Sequence, residues 1–318
     1  MALCGRRLGR WLGWLLVGLS LAFVGARLWQ GDAWDLARPQ LAPLLLATLA
    51  GALVYGLAGF LLSTAWRQIL ALERPPGPAA GYHAVYGRSQ IAKYLPGNCF
   101  HLVGRQLLGR ELGHSQAALA AASLLEAALL VALAASFAAP LARPWLGHWA
   151  ALLPIAALAG LGLVCAGDRL VPRRWWPLPG MASDRGRLLA TVLACHAAFF
   201  ALAAGLLWLL AAMVSAPGGA SPGPLMCLSA LALAWAAGFV VPGSSAGLGI
   251  REAVLIFALE GTLGAEASAV AALALRLATT GGDGVFCLLA FGLTLPQHAR
   301  IAGAAPDDSK VPSNITKT

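Results

Sequence analysis

Charge is what this chain has least of. Only 11% of its 318 residues are charged, and just 13 are acidic, against the quarter or so of charged residues in ordinary soluble domains. So few ions cannot clothe a water-soluble domain of this size. Metal chemistry has little to work with. The six cysteines (Cys4, Cys99, Cys165, Cys195, Cys227, Cys287) show no CxxC spacing and fall mostly in apolar runs, which suits small packing residues rather than a zinc site or disulfides. His83, His114, His148, His196 and His298 lack metal-ligand spacing as well. There is no nucleophile elbow, paired-Asp metal motif, P-loop or dinucleotide fingerprint, so no cofactor is expected and nothing marks an enzyme. Alternating strands are missing too, which excludes a barrel.

What is present is apolar sequence: 59% hydrophobic residues and a mean hydropathy of +0.75. Apolar runs place candidate spans at about 11–29, 40–66, 115–138, 149–166, 188–213, 224–241 and 268–295. The chain reads as an all-α integral membrane protein of seven or eight transmembrane helices. Its polytopic membrane domain covers 1–303, and 304–318 is a polar tail expected to be disordered. Arg6, Arg7 and Arg10 precede the first run. That run reaches Trp29 without a polar cleavage region, so an uncleaved span is expected rather than a signal peptide.

The net charge of +9 does not imply nucleic acid, because the basic residues sit in short connectors. Lys and Arg number three before the first span, two in 27–39, six in 67–110, one in 140–148, five in 167–187 and none in 214–223. This alternation predicts a bacterial cytoplasmic (inner) membrane protein with its N-terminus and the connectors 67–110 and 167–187 in the cytoplasm. Seven crossings would leave Arg300, Lys310 and Lys317 outside. Either one broken segment also crosses, giving eight, or the tail departs from the rule.

Two segments do not fit as ordinary spans. Around YGRSQIAKYLPGNCFHLVGRQLLGRE, from Tyr86 to Glu111, a Pro-Gly pair stops a helix, and the next must begin with unpaired N–H groups. Lys93, Asn98 and Arg105 surround that break and suit a phosphate. The same cations also serve as anchors to anionic lipid surfaces, which is sufficient for Arg67, Arg74 and Arg110. His101 is either a phosphate hydrogen-bond partner or a packed histidine. The second segment, VPGSSAGLGIREAVLIFALEGTLG from Val241 to Gly264, has its own Pro-Gly break. Its helix, taken from Ile250 to Leu259, spans only about 15 Å. Ser244, Ser245 and Arg251 there could bind phosphate oxygens, or the segment is a serine-capped turn between helices. Re-entrant or broken helices are expected at both places.

The two breaks belong to a weak internal repeat. Pro96-Gly97 is followed by Gly113 and, thirteen residues on, Glu126; Pro242-Gly243 is followed by Gly264 and, twelve residues on, Arg276. Paired broken segments in two halves point to a central transport site. Glu126 and Arg276 lie inside apolar spans and are expected to face the interior and to pair. They form either a register-fixing ion pair or cavity charges that meet a substrate headgroup. Asp283, in TTGGDG, is expected against Arg276, with its glycines allowing close helix approach.

These segments resemble the flippase-like membrane region of the lysylphosphatidylglycerol synthase family and its small stand-alone relatives. The likeness is carried by Trp66-Arg67, SQIAKYLPGNCFHLVGR from Ser89 to Arg105, Gly113 with Glu126, PGSSAGLGIRE from Pro242 to Glu252, and Arg276. The resemblance implies a helical bundle with lipid-accessible cavities and a role in moving a lipid or lipid-linked molecule between leaflets. The family's synthases carry a soluble aminoacyl-transferase domain after the membrane region. This chain ends in a polar tail, so lysyl transfer is not expected. Small relatives often accompany glycosyltransferases. A membrane phospholipid or a polyprenyl-phosphate-linked glycan is therefore the expected partner, and a non-transporting role beside a glycosyltransferase is the alternative.

Overall fold

The computed structural model describes residues 22, 26, 40–95, 100–152, 154–156, 185–216, 218–241 and 245–302. All of its long elements are helices, and no strand occurs among the described residues. They are α1 (Leu41–Leu70), α2 (Ala79–Gln90), α3 (Phe100–Leu108), α4 (Gln116–Leu146), α5 (Arg185–Val214), α6 (Pro224–Val240), α7 (Ile250–Leu263) and α8 (Ala265–Ala302). Within them, Leu41–Leu70, Gln116–Pro144, Gly186–Val214 and Ala265–Leu293 are long and apolar enough to cross a membrane, and Pro224–Val240 is a shorter apolar helix. The spans expected at 11–29 and over most of 149–166 lie outside the described residues, as does the tail 304–318.

α1 presents two faces. Leu45, Leu46, Leu49, Leu53 and Leu57 are exposed, whereas Ala52, Tyr55, Gly56, Gly59 and Leu62 are buried. Apolar side chains outward and small or aromatic ones inward is the arrangement of a helix solvated by lipid and packed on close neighbours. Its inner face meets α8 and α5, while α4 lies against α6 and α2 against α8. Gly56 and Gly59 receive Val285 and Phe286, and a Cβ on Gly282 would stand 2.8 Å from the Ala52 carbonyl. The TTGGDG glycines thus permit the close helix approach read from the sequence.

A short helix follows each of the two breaks, and both are too short to cross. α3 has 9 residues and α7 has 14, about 14 and 21 Å at 1.5 Å per residue. α7 runs past Leu259 because Glu260 to Leu263 keep its pattern, and Gly264 ends it at φ 81°. Gly113, at φ 75°, closes the turn after α3. A left-handed glycine therefore links short helix to long helix in each case, where a Cβ would be strained. Ser115 caps α4 by accepting from the Ala118 N–H at 3.1 Å.

Candidate functional site

In α3 the polarity is turned inside out. His101 and Arg105, one turn apart, are buried, while Phe100, Val103 and Leu107 are exposed. Arg105 is 3% exposed and donates to Glu126 on α4, itself 2% exposed. The Tyr86 hydroxyl donates to the other Glu126 oxygen at 2.8 Å, and the Arg105 guanidinium lies 3.7 Å from the Tyr86 ring centroid. A buried carboxylate is tolerable only with such partners.

Around the second break a similar pairing occurs with its charges exchanged. Here the short helix carries the acid: Glu252 on α7 meets Arg276 on α8, with Arg276 Nε 3.2 Å from Glu252 Oε1. Glu252 also accepts from the Gly249 N–H at 2.6 Å, which caps α7. Arg276 donates through Nη1 to the Ala246 carbonyl at 3.1 Å. Ala246 adopts φ 51°, the one left-handed residue other than glycine among those described.

Glu126 and Arg276 therefore do not pair with each other as expected. Each is satisfied by the short helix that precedes it in the chain. Asp283 likewise does not pair with Arg276. It reaches the turn before the first break instead, with Lys93 Nζ 2.7 Å and the Tyr94 hydroxyl 2.6 Å from its Oδ2.

Arg251 is different. It forms no ion pair among the described residues, and its Nε is buried with no hydrogen-bond partner. Its side chain runs between Gly238 and Gly247, where added Cβ atoms would come within 2.6 and 2.7 Å of it, and it lies 5.8 Å from the Trp235 ring centroid. Two glycines and an aromatic face thus aim the guanidinium into the protein.

Two adjoining cavities meet there, sharing Tyr55, Phe199, Trp235 and Arg251. The first is the more polar of the two, with Gln90, Lys93, His101, Arg105, Ser123 and Glu126 on its wall beside Leu62, Leu102 and Leu130. The second is mostly apolar, with Phe200, Leu231, Leu255 and Leu275 beside Glu252, Arg276 and Thr279. Of the residues singled out in the sequence, Lys93, Arg105, Glu126, Arg251 and Arg276 come together around these cavities. Asn98 and Ser244, and the side chain of Ser245, lie outside the described residues. Sequence reasoning missed Tyr86, Gln90 and Tyr94, though their spacing with Lys93 puts Tyr86, Gln90, Lys93 and Tyr94 along one helical face. It also missed Ser123 and the aromatic wall, which look in sequence like ordinary packing.

No group of three His, Cys, Asp or Glu close enough to hold a metal ion occurs among the described residues. No protein-family model and no curated protein matches the chain.

Proposed function

We propose that this is a flippase-like membrane protein that binds an anionic lipid or lipid-linked intermediate and moves it between leaflets. The observation that carries the reading is Arg251, a cation without a carboxylate partner among the described residues, at the junction of two cavities, one more polar than the other. An anionic headgroup crosses hydrocarbon only if fixed donors replace its water while its chains remain in an apolar medium. The polar chamber offers the donors and the apolar one suits a chain. The paired short helices support the reading, since broken segments at matching places in two halves are how many transporters build a central site.

In this reading the chain is a relative of the lysylphosphatidylglycerol synthase membrane region with seven or eight spans. It lies in a bacterial inner membrane with its N-terminus in the cytoplasm.

Reconstitution into liposomes carrying headgroup-labelled anionic lipids tests it. Purified protein should speed the appearance of label in the opposite leaflet, and Arg251→Gln should abolish the acceleration. If the protein moves no anionic lipid or polyprenyl phosphate alone but raises the output of a co-reconstituted glycosyltransferase, it is a membrane partner rather than a transporter.

A further inference from the structure

Around the two cavities, the described cations are Lys93, Arg105, Arg251 and Arg276, and the carboxylates that meet them are Asp283, Glu126 and Glu252. Three cations are neutralised at hydrogen-bond range. One positive charge is left over, on Arg251. The polar chamber also holds three buried polar atoms without partners: His101 Nδ1, Arg105 Nε and Ser123 Oγ, on side chains 8%, 3% and 3% exposed. Buried polar atoms left unsatisfied are costly, and a ligand that pairs with them removes that cost.

From this charge count we infer that the site, taken as the lipid site proposed above, selects an amphiphile bearing one negative charge. The ligand is a phosphodiester whose remaining headgroup is uncharged and hydrogen-bonding. Its oxyanion meets Arg251, and its neutral polar end reaches His101 and Ser123. A phosphate monoester brings a second negative charge with no free cation to meet it. A headgroup with its own ammonium places a cation where the chamber is already positive. Selectivity arises as much from those unmatched charges as from the matched one.

The test is native mass spectrometry of the full chain in detergent, offered equal amounts of phosphatidylglycerol, phosphatidic acid and phosphatidylcholine at about pH 8, where a phosphate monoester is doubly charged. Phosphatidylglycerol should occupy the protein about tenfold more than either of the others. Gln90 lines the same chamber as an uncharged residue, its Oε1 accepting from Arg105 Nη2 at 3.5 Å, so a charge introduced there shifts the count beside the Arg105–Glu126 pair. Gln90→Lys should move the preference toward phosphatidic acid. Gln90→Glu should erase the preference over phosphatidylcholine, and Arg251→Gln should do the same from the other wall.

Equal or tighter binding of phosphatidic acid by the unaltered protein would overturn the single-charge inference and leave the lipid site standing. Unchanged preferences in both Gln90 variants would overturn it as well. Binding of none of the three lipids would overturn the lipid reading itself. Thermal stabilisation by inorganic phosphate alone, matching that by phosphatidylglycerol, would assign the site to a soluble anion.

Discussion

Lys93, on the turn leading into the first break, holds its ammonium 2.7 Å from Asp283 on α8, and thereby ties that break to the last long helix. Both side chains are largely buried, at 14% and 6% exposure. Removing one partner strands the other's charge, which costs about 3 kcal/mol, whereas removing both leaves little behind. Asp283→Asn should therefore lower the melting temperature in detergent markedly, and adding Lys93→Gln to it should restore most of the loss. A double variant no more stable than the worse single one would show that the pair is not coupled.

At Gly282 the close contacts include backbone, which cannot move aside, as well as the Tyr55 ring. A Cβ there meets the Ala52 carbonyl at 2.8 Å and the Gly56 nitrogen at 3.0 Å. Gly282→Ala should push α8 off α1 and destabilise the protein by about 1 to 3 kcal/mol. Gly284 is the control, since a Cβ added there meets nothing within 4 Å. Thermal melts of Gly282→Ala and Gly284→Ala side by side should differ in that direction.

Gly238 packs against both the stem of Arg251 and the turn before α7. An added Cβ would stand 2.6 Å from Arg251 Cγ and 3.1 Å from the Gly247 Cα. Gly238→Ala should therefore displace the guanidinium and lower the melting temperature together. Anionic-lipid occupancy should fall by about fivefold, or roughly 1 kcal/mol.

A separate network fastens the connector after α1. His114 Nδ1 is 2.6 Å from Glu73 Oε2, the Tyr82 hydroxyl is 2.6 Å from His114 Nε2, and the Ser115 N–H reaches Glu73 Oε1 at 3.3 Å. Burial of the Glu73 carboxyl works to raise its pKa, but hydrogen bonds from Ser115 and His114 outweigh it and hold the value below the ordinary one. A folded-state pKa below the unfolded value means stability that is present above about 4.3 and lost as pH falls through the folded value. Glu73→Gln should cost about 1 kcal/mol at neutral pH. Melts over a pH series should show its difference from the unaltered protein shrinking in acid.

How much of this was written in the sequence depends on the kind of fact. Long apolar runs announce helices by their lipid solubility, and α1, α5 and α6 fall within a few residues of the runs that predict them, while α4 and α8 run further at their C-terminal ends. The Pro-Gly pairs and the glycines at 113 and 264 mark breaks because proline and left-handed backbone leave few alternatives. Partnership of charges is another matter. Glu126 and Arg276 sit at comparable places after the two breaks, and nothing in their spacing says that each is met by the short helix before it. That choice is set by how α3 and α7 are rotated about their axes, which places Arg105 and Glu252 inward. α3 does carry a polar stripe of His101 and Arg105 opposite Phe100, Val103 and Leu107, but its periodicity does not name the carboxylate that the stripe will meet.

Ala246 is a spring held shut. Its left-handed backbone costs about 1 to 3 kcal/mol, more than a glycine there would. What keeps it loaded is remote in sequence: the Arg276 guanidinium that grips its carbonyl, itself gripped by Glu252. Damage to either charge should be felt first as a loosened turn beside Arg251. Among the described residues, the cation of these cavities that has no carboxylate partner is thus tuned by an ion pair, Arg276 with Glu252.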